Sequence, residues 1–250
     1  MSNRALIVVA KQPKPGETKT RLSPLLDPEQ AVELYCCLLL DTLELMRRVD
    51  GARPFVAYSP LTAEGYFRQL APGDFAFLPQ IGDNLGQRLN NVLTRCLSMG
   101  YAQVIVMNSD GPTLPVDHLQ QAFELLQNPG VDVVLGPSDD GGYYLIGLKH
   151  PCPVLFDVVM STPTVLQETL ARAREQGLRV VCLPPWYDVD TPEDLQRLIE
   201  ELPSLPDHVA VKTRRLLAEW TGPKLVGAPN SARSVATASH RFCPPWEARG

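Results

Sequence analysis

Ala5-Leu-Ile-Val-Val-Ala10 runs directly into Lys11-Gln-Pro-Lys-Pro-Gly-Glu-Thr-Lys-Thr-Arg-Leu22, and a helical pattern then extends over 28–49. The apolar, β-branched run reads as a buried strand, and the Pro/Gly-shaped loop carries the chain towards a helix. Asp27 followed by Pro28 marks that helix's first turn. Leu34, Leu38, Thr42, Leu45 and Val49 return on one side of it at helical spacing. Strand-like runs recur at 54–59, 75–79, 104–107, 131–135, 143–148 and 178–183. Helical patterns at 61–70, 85–99, 116–127, 163–176 and 192–202 separate most of them. This alternation predicts an α/β fold over residues 1–202, a three-layer α/β/α sandwich on a mostly parallel mixed sheet. The two close runs around Gly136-Pro-Ser-Asp-Asp-Gly-Gly-Tyr-Tyr144 predict one antiparallel excursion. Residues 203–221 suit one extra helix. Residues 222–250, rich in Ser, Ala, Pro and Gly without an apolar period, read as a disordered tail.

Composition bounds the function. The 250 residues are 44% hydrophobic and 20% charged, an ordinary globular balance that can bury a core. No apolar run approaches the roughly 18 to 20 residues that span a bilayer. The opening MSNRALIVVA has no cationic leader, long apolar stretch or cleavage site, so it reads as an opening strand. The six cysteines lack CxxC spacing, which favours reduced core thiols in the cytoplasm over a disulfide framework or a zinc site. The net charge of −5 divides unevenly: +4 over 1–24, −13 over 25–202 and +4 over 203–250. Cations gathered in one short loop suit a compact anion better than a duplex. The expected partners are therefore a nucleotide and a small-molecule acceptor, with no nucleic acid and no membrane; homodimer formation stays open.

Five stretches carry candidate chemistry. In the first loop, Lys11, Lys19 and Arg21 can neutralise a polyphosphate at the sheet's carboxyl edge, with Gly16 shaping the turn. It is neither a Walker A loop nor GxGxxG, and a plain solvated loop is the competing reading. Val104-Ile-Val-Met-Asn-Ser-Asp-Gly-Pro-Thr-Leu114 delivers Asp110 to the same edge, either as a Mg²⁺ ligand or as a turn residue. In Tyr187-Asp-Val-Asp-Thr-Pro-Glu-Asp-Leu195, Asp190 reads as a helix N-cap, as the second metal carboxylate with Asp188 as the alternative, or as both; Asp194 reads as structural. In the glycine-rich stretch, Asp139, Asp140, Gly141 and Gly142 could hold an acceptor, or simply form a tight hairpin turn. Gly86 and Arg88, entering the helix at 85–99, could face the nucleotide. The four histidines fit no metal spacing and no Ser/His/Asp arrangement.

The blocks KPGETKTRLSPLL, SDGPTL, GPSDDGGYYLIGL and DVDTPEDL, in this order, resemble the DUF2064-type bacterial transferases of the nucleotide-diphospho-sugar transferase (glycosyltransferase-A) superfamily. The resemblance covers about 4–202. A more distant similarity links the loop and the SDGP strand end to 2-phospholactate guanylyltransferases, and VDTPEDL to sugar-nucleotide cytidylyltransferases. The resemblance implies that Lys19 and Arg21 face nucleotide phosphates and that Asp110 and Asp190 hold Mg²⁺ or Mn²⁺. It implies a nucleotidyltransferase moving a nucleoside monophosphate from an NTP to a small phosphate-bearing acceptor, with Lys19, Arg21 and Asp110 catalytic. Glycosyl transfer from a nucleotide sugar is the alternative, and a non-catalytic nucleotide-binding module the second. The chain departs from the guanylyltransferases in lacking a Gly-Thr-Asn acceptor block, and from strict glycosyltransferases in having Asn108-Ser109-Asp110 where they carry DxD.

Overall fold

In the computed structural model, residues 3–221 are described; the tail expectation for 222–250 lies outside them. Strands β1 (Arg4–Lys11), β2 (Ala52–Ser59), β3 (Ala76–Pro79), β4 (Gln103–Met107), β5 (Val133–Pro137), β6 (Tyr143–Leu148) and β7 (Val180–Cys182) form one sheet in the order β3-β2-β1-β4-β6-β5-β7. β6 runs antiparallel to β4 and β5, and the remaining pairs are parallel. The helices are α1 (Pro28–Arg47), α2 (Glu64–Leu70), α3 (Leu85–Ser98), α4 (Val116–Gln127), α5 (Val165–Glu175), α6 (Pro192–Glu201) and α7 (Val211–Thr221). The α/β sandwich with its antiparallel excursion is therefore the observed fold. β7 is shorter than the 178–183 run because only three of its residues pair with β5.

Both faces of the sheet are covered, so its central strands are apolar throughout. Leu6 and Val8 of β1 and Ile105 and Met107 of β4 pack towards α1, α2 and α4, through Leu39, Leu43, Phe67 and Phe123. Their neighbours Ile7, Val104 and Val106 point the opposite way, towards Leu89 and Leu93 of α3 and Ala173 of α5. Helix α1 is buried on two sides. Leu39, Leu43, Leu45 and Met46 meet the sheet-side core, whereas Leu34, Cys37 and Leu38 meet Leu195 and Leu198 of α6 and Leu216 of α7. The apolar stripe read from sequence thus splits between two cores, because the C-terminal helices cover what would otherwise be the solvent face.

Asp27 caps α1 in a reciprocal capping box with Gln30, as the Asp-Pro start suggested. Cys37, Cys96, Cys152 and Cys182 are free; Cys37 and Cys96 are buried, as expected of core thiols, whereas Cys152 is half-buried and Cys182 exposed.

Two topological facts place the site. The chain moves outward from β1 to β2 and β3, then returns to lay β4 on the other side of β1. Between β1 and β4 the connections therefore diverge and leave a crevice at the strand carboxyl ends. Second, Asp41 on α1 accepts from the backbone N–H groups of Lys212 (2.9 Å) and Thr213 (2.8 Å) and from the Thr213 hydroxyl (2.7 Å), fixing the start of α7. Asp41→Ala should lower unfolding stability by about 1–3 kcal/mol, the cost of leaving buried donors unpaired. Chemical denaturation checks this.

Candidate functional site

The cleft over the β1/β4 crevice has a volume of about 670 Å³. Its floor comes from the ends of β1 and β4, and its sides from the loop after β1 and the start of α3. Lys11, Lys19, Arg21 and Arg88 line it, together with Asp110 and Asp190. Six residues read from separate stretches of sequence thus share one cavity.

At its centre, the Lys19 ammonium lies 2.7 Å from Asp110 Oδ2 and 2.5 Å from Asp190 Oδ1. The Lys19 side chain is only 5% exposed, while those of Asp110 and Asp190 are 22% and 42% exposed, so the acids open towards the cleft. Burial alone would lower the Lys19 pKa, but the Asp110 and Asp190 charges outweigh it and the net shift is upward. Lys19 therefore stays protonated. It reaches this position from a left-handed backbone conformation (φ 49°), uncommon for a residue with a side chain.

Each acid has a structural reason to be there. Asp110 follows β4, and Ser109 beneath it donates from its hydroxyl to Asp110 Oδ1 at 3.0 Å. The Tyr35 hydroxyl of α1 lies 3.3 Å from Ser109 Oγ and accepts from the Lys11 backbone N–H, so one side chain ties both loops together. Burial and the nearby Asp110 charge push the Tyr35 phenol up to about 12, so it stays neutral. Asp190 is brought in by a strap across the sheet edge. Trp186 bonds through its backbone to Pro137 and Asp139, and the Val189 N–H donates to the Asp110 carbonyl at 3.1 Å. The N-cap of α6 is Thr191 rather than Asp190. Asp194 accepts from the Asp190 and Thr191 N–H groups in the capping box. Capping thus falls to Thr191 and Asp194, and the Asp190 carboxylate is left to face Lys19.

Asp188, two residues earlier in the strap, was legible only as an alternative ligand. Its Oδ2 accepts from Asn108 Nδ2 at 2.6 Å, and its Oδ1 is buried without a hydrogen-bond partner. Burial, reinforced by Asp110, pushes its pKa up to about 7. Asn108 occupies the first DxD position, and its amide is committed to holding Asp188.

A second cavity of about 200 Å³ adjoins the first and shares Val9, Leu85 and Asn108 with it. Asp140, Gly142 and Asp188 line this one. Asp139 does not; it pairs with Arg197 at 2.7 Å on the surface. Gly141 (φ 88°) packs so closely that a Cβ would stand 2.0 Å from the Pro163 carbonyl. Gly86 is likewise pressed against the Phe156 carbonyl, where a Cβ would come within 2.5 Å, so its lack of a side chain serves helix packing. Gly16 sits exposed at the loop's turn, outside the residues lining either cavity.

With this geometry in hand, comparison with known proteins gives a family. A proposed nucleotide-diphospho-sugar transferase from Desulfovibrio desulfuricans G20 is 34% identical and superposes with a TM-score of 0.80 over 88% of this chain and 95% of its own. DUF2064, a family described as uncharacterised proteins conserved in bacteria, matches residues 42–162. The chain belongs to the DUF2064 family. The fold alone is shared with a CMP:2-keto-3-deoxy-manno-octonic acid synthetase complexed with CTP (12% identity, TM-score 0.52, 80% of this chain and 98% of that one). It is shared too with the 4-diphosphocytidyl-2C-methyl-D-erythritol synthase of Anaerococcus prevotii DSM 20548 (11%, 0.52, 80% and 97%). No curated protein matches the chain.

The raised Asp188 pKa has a consequence for the DUF2064 protein's stability. The native state holds this proton more tightly than the unfolded chain, whose Asp titrates near 3.8. The associated stabilisation is complete below that value and is lost as pH rises through about 7. In metal-free buffer, Asp188→Asn should therefore gain stability relative to the wild type between pH 5 and pH 8. Urea titrations at the two pH values measure the difference.

Proposed function

We propose that the protein is a Mg²⁺-dependent nucleotidyltransferase that moves a nucleoside monophosphate from an NTP to a small acceptor and releases pyrophosphate. The observation that carries this reading is the convergence of two carboxylates from distant segments on one ammonium, inside a cleft lined by Lys11, Lys19, Arg21 and Arg88 against Glu17, Asp110 and Asp190. In the reaction an acceptor oxygen bonds to the α-phosphorus, the bond from that phosphorus to the bridging oxygen breaks, and pyrophosphate departs with the electron pair. No nucleophilic side chain is needed, and positioning with charge stabilisation supplies the catalysis.

The donor set suits Mg²⁺. Among the described residues no three His, Cys, Asp or Glu side chains make a ready metal cage. Mg²⁺ asks for less: one or two carboxylates completed by water and phosphate oxygens. Asp110 and Asp190 would hold it, or Mn²⁺, and the bound ion would offset charge developing on the phosphates. Arg21, exposed on the cleft wall, offers its planar fork to the phosphate chain, with Lys11 and Arg88 beside it. Lys19 balances both acids in the metal-free protein; a phosphate chain in the cleft gives its ammonium a third acceptor. Tyr35 and Ser109 keep Asp110 in place.

Glycosyl transfer from a nucleotide sugar is the second reading, favoured by the description of the 34%-identical relative. It would use the same phosphate contacts, with Asp140 in the adjoining cavity as base. No helix among the described residues is long and apolar enough to cross a membrane. A cytoplasmic location belongs to this proposal, since that compartment supplies the NTP.

Incubation with each NTP, Mg²⁺ and candidate acceptors should release pyrophosphate. Free NDP from sugar nucleotides would favour the second reading, and turnover of neither donor a pure binding module. Arg21→Ala should weaken NTP binding by about 1–3 kcal/mol, the range for a charge-assisted hydrogen bond. Calorimetric titration reads that loss, and unchanged affinity would remove Arg21 from the donor site. Lys19→Met should split two affinities: Mn²⁺ alone binds more tightly because its ligands lose a competing cation, while the NTP binds more weakly.

A further inference from the structure

We propose that the second cavity receives the acceptor, and that the part it buries is a single ring or short chain, apolar and either uncharged or cationic, not a phosphate ester. This rests on the transferase reading above and departs from the phosphate-bearing acceptor expected from sequence.

Position comes first. The two cavities share Val9, Leu85 and Asn108, so a group seated in the smaller one abuts whatever fills the larger. Size comes next. At about 200 Å³ it is below the range of roughly 300–1,000 Å³ common for whole small-molecule sites, which limits the buried part to a ring-sized group.

The lining decides the chemical class. Val106, Ile146, Val165, Met160 and the Tyr143 ring supply most of the wall, and no Lys, Arg or His is among the lining residues. Its ionisable residues are Asp140, Asp188, Tyr143 and Tyr144, and the Tyr144 phenol is turned away to His118 and the Pro184 carbonyl. A phosphate placed here would lose its water against two carboxylates, with no cation to replace it. An alcohol or amine meets the opposite situation, because the Asp140 carboxylate on the wall can accept its hydrogen bond.

The wall is also held in a defined shape. Among the described residues Lys19, Ser161 and Ala210 are the non-glycine residues with positive φ, and Lys19 and Ser161 line the first and second cavity respectively. Ser161 places the preceding Met160 against the Tyr143 hydroxyl, which donates to its sulfur at 3.8 Å. Backbone held in so sparsely populated a region is a feature of ligand sites.

Three probes matched in shape test the assignment on the full chain: benzyl alcohol, benzylamine and phenyl phosphate, followed by ligand-observed NMR. Benzyl alcohol should bind and be displaced by benzylamine, whereas equimolar phenyl phosphate should displace less than a tenth of it. Met160→Trp, which fills the cavity from its loop side, should weaken benzyl alcohol at least tenfold, with the melting temperature as the control for folding. Met160→Ala, which enlarges the cavity, should keep benzyl alcohol within threefold and improve binding of 2-naphthylmethanol. Equal displacement by phenyl phosphate, no binding of benzyl alcohol, or indifference to Met160→Trp would overturn the inference. Pyrophosphate release that needs a phosphorylated acceptor and ignores Met160→Trp would overturn it while leaving the transferase reading intact. Probe binding as expected without turnover of any NTP would uphold the cavity's chemistry and count against the transferase reading instead.

Discussion

A nearly sealed ammonium between two half-open carboxylates organises the functional end of this molecule. Lys19 comes from the first loop, Asp110 from the end of β4 and Asp190 from the segment before α6. Without the cation, two acids would face each other at the sheet edge. Without the acids, a lysine would be buried uncharged or pushed out. Removing one partner of a fully buried pair costs about 3–5 kcal/mol. Here the acids remain partly exposed, so part of that cost is relieved by water. The same partial exposure leaves them accessible to a ligand, and so a stabilising contact also serves as a prepared site.

Everything that holds this cluster together lies one layer below it. Helix α1 is covered on one side by the sheet and on the other by α6 and α7, and its Tyr35 and Thr42 reach up to the Lys11 and Ser109 backbones. The strap at 186–190 is laced to β5 and to the Asp110 carbonyl. A loop of this length would ordinarily be among the mobile parts of a domain. These backbone bonds tie it to the rigid sheet, which fixes the distance between Asp110 and Asp190. The outer helices therefore matter to the site even though they touch no part of the cleft.

Much of this was legible in the residues. β-branched runs and apolar spacing located the strands and helices, because burial on both sheet faces leaves a continuous apolar signal. The cations of the first loop and the acids after β4 and β7 stood out because charged residues at strand ends have few structural reasons to be there. Asp188 and Asp190 looked alike in the sequence, as did Asp139 and Asp140. Their fates diverged through tertiary contacts that no local pattern records: Asp190 faces Lys19, Asp188 turns inward to Asn108, Asp140 lines a cavity and Asp139 meets Arg197. Gly86 and Gly141 read as ligand-facing, yet close backbone packing explains them.

By itself, the sequence determined the layers, the antiparallel excursion and the set of charged residues at the carboxyl edge, because these follow from local periodicity and from the cost of burying charge. Only the tertiary structure decided which acids share the Lys19 ammonium, which acid is buried with a free oxygen, and that a second cavity without cations opens beside the first. Those facts depend on strand order and on a few long-range backbone bonds. Such bonds join residues far apart in the chain and leave no periodic trace in it.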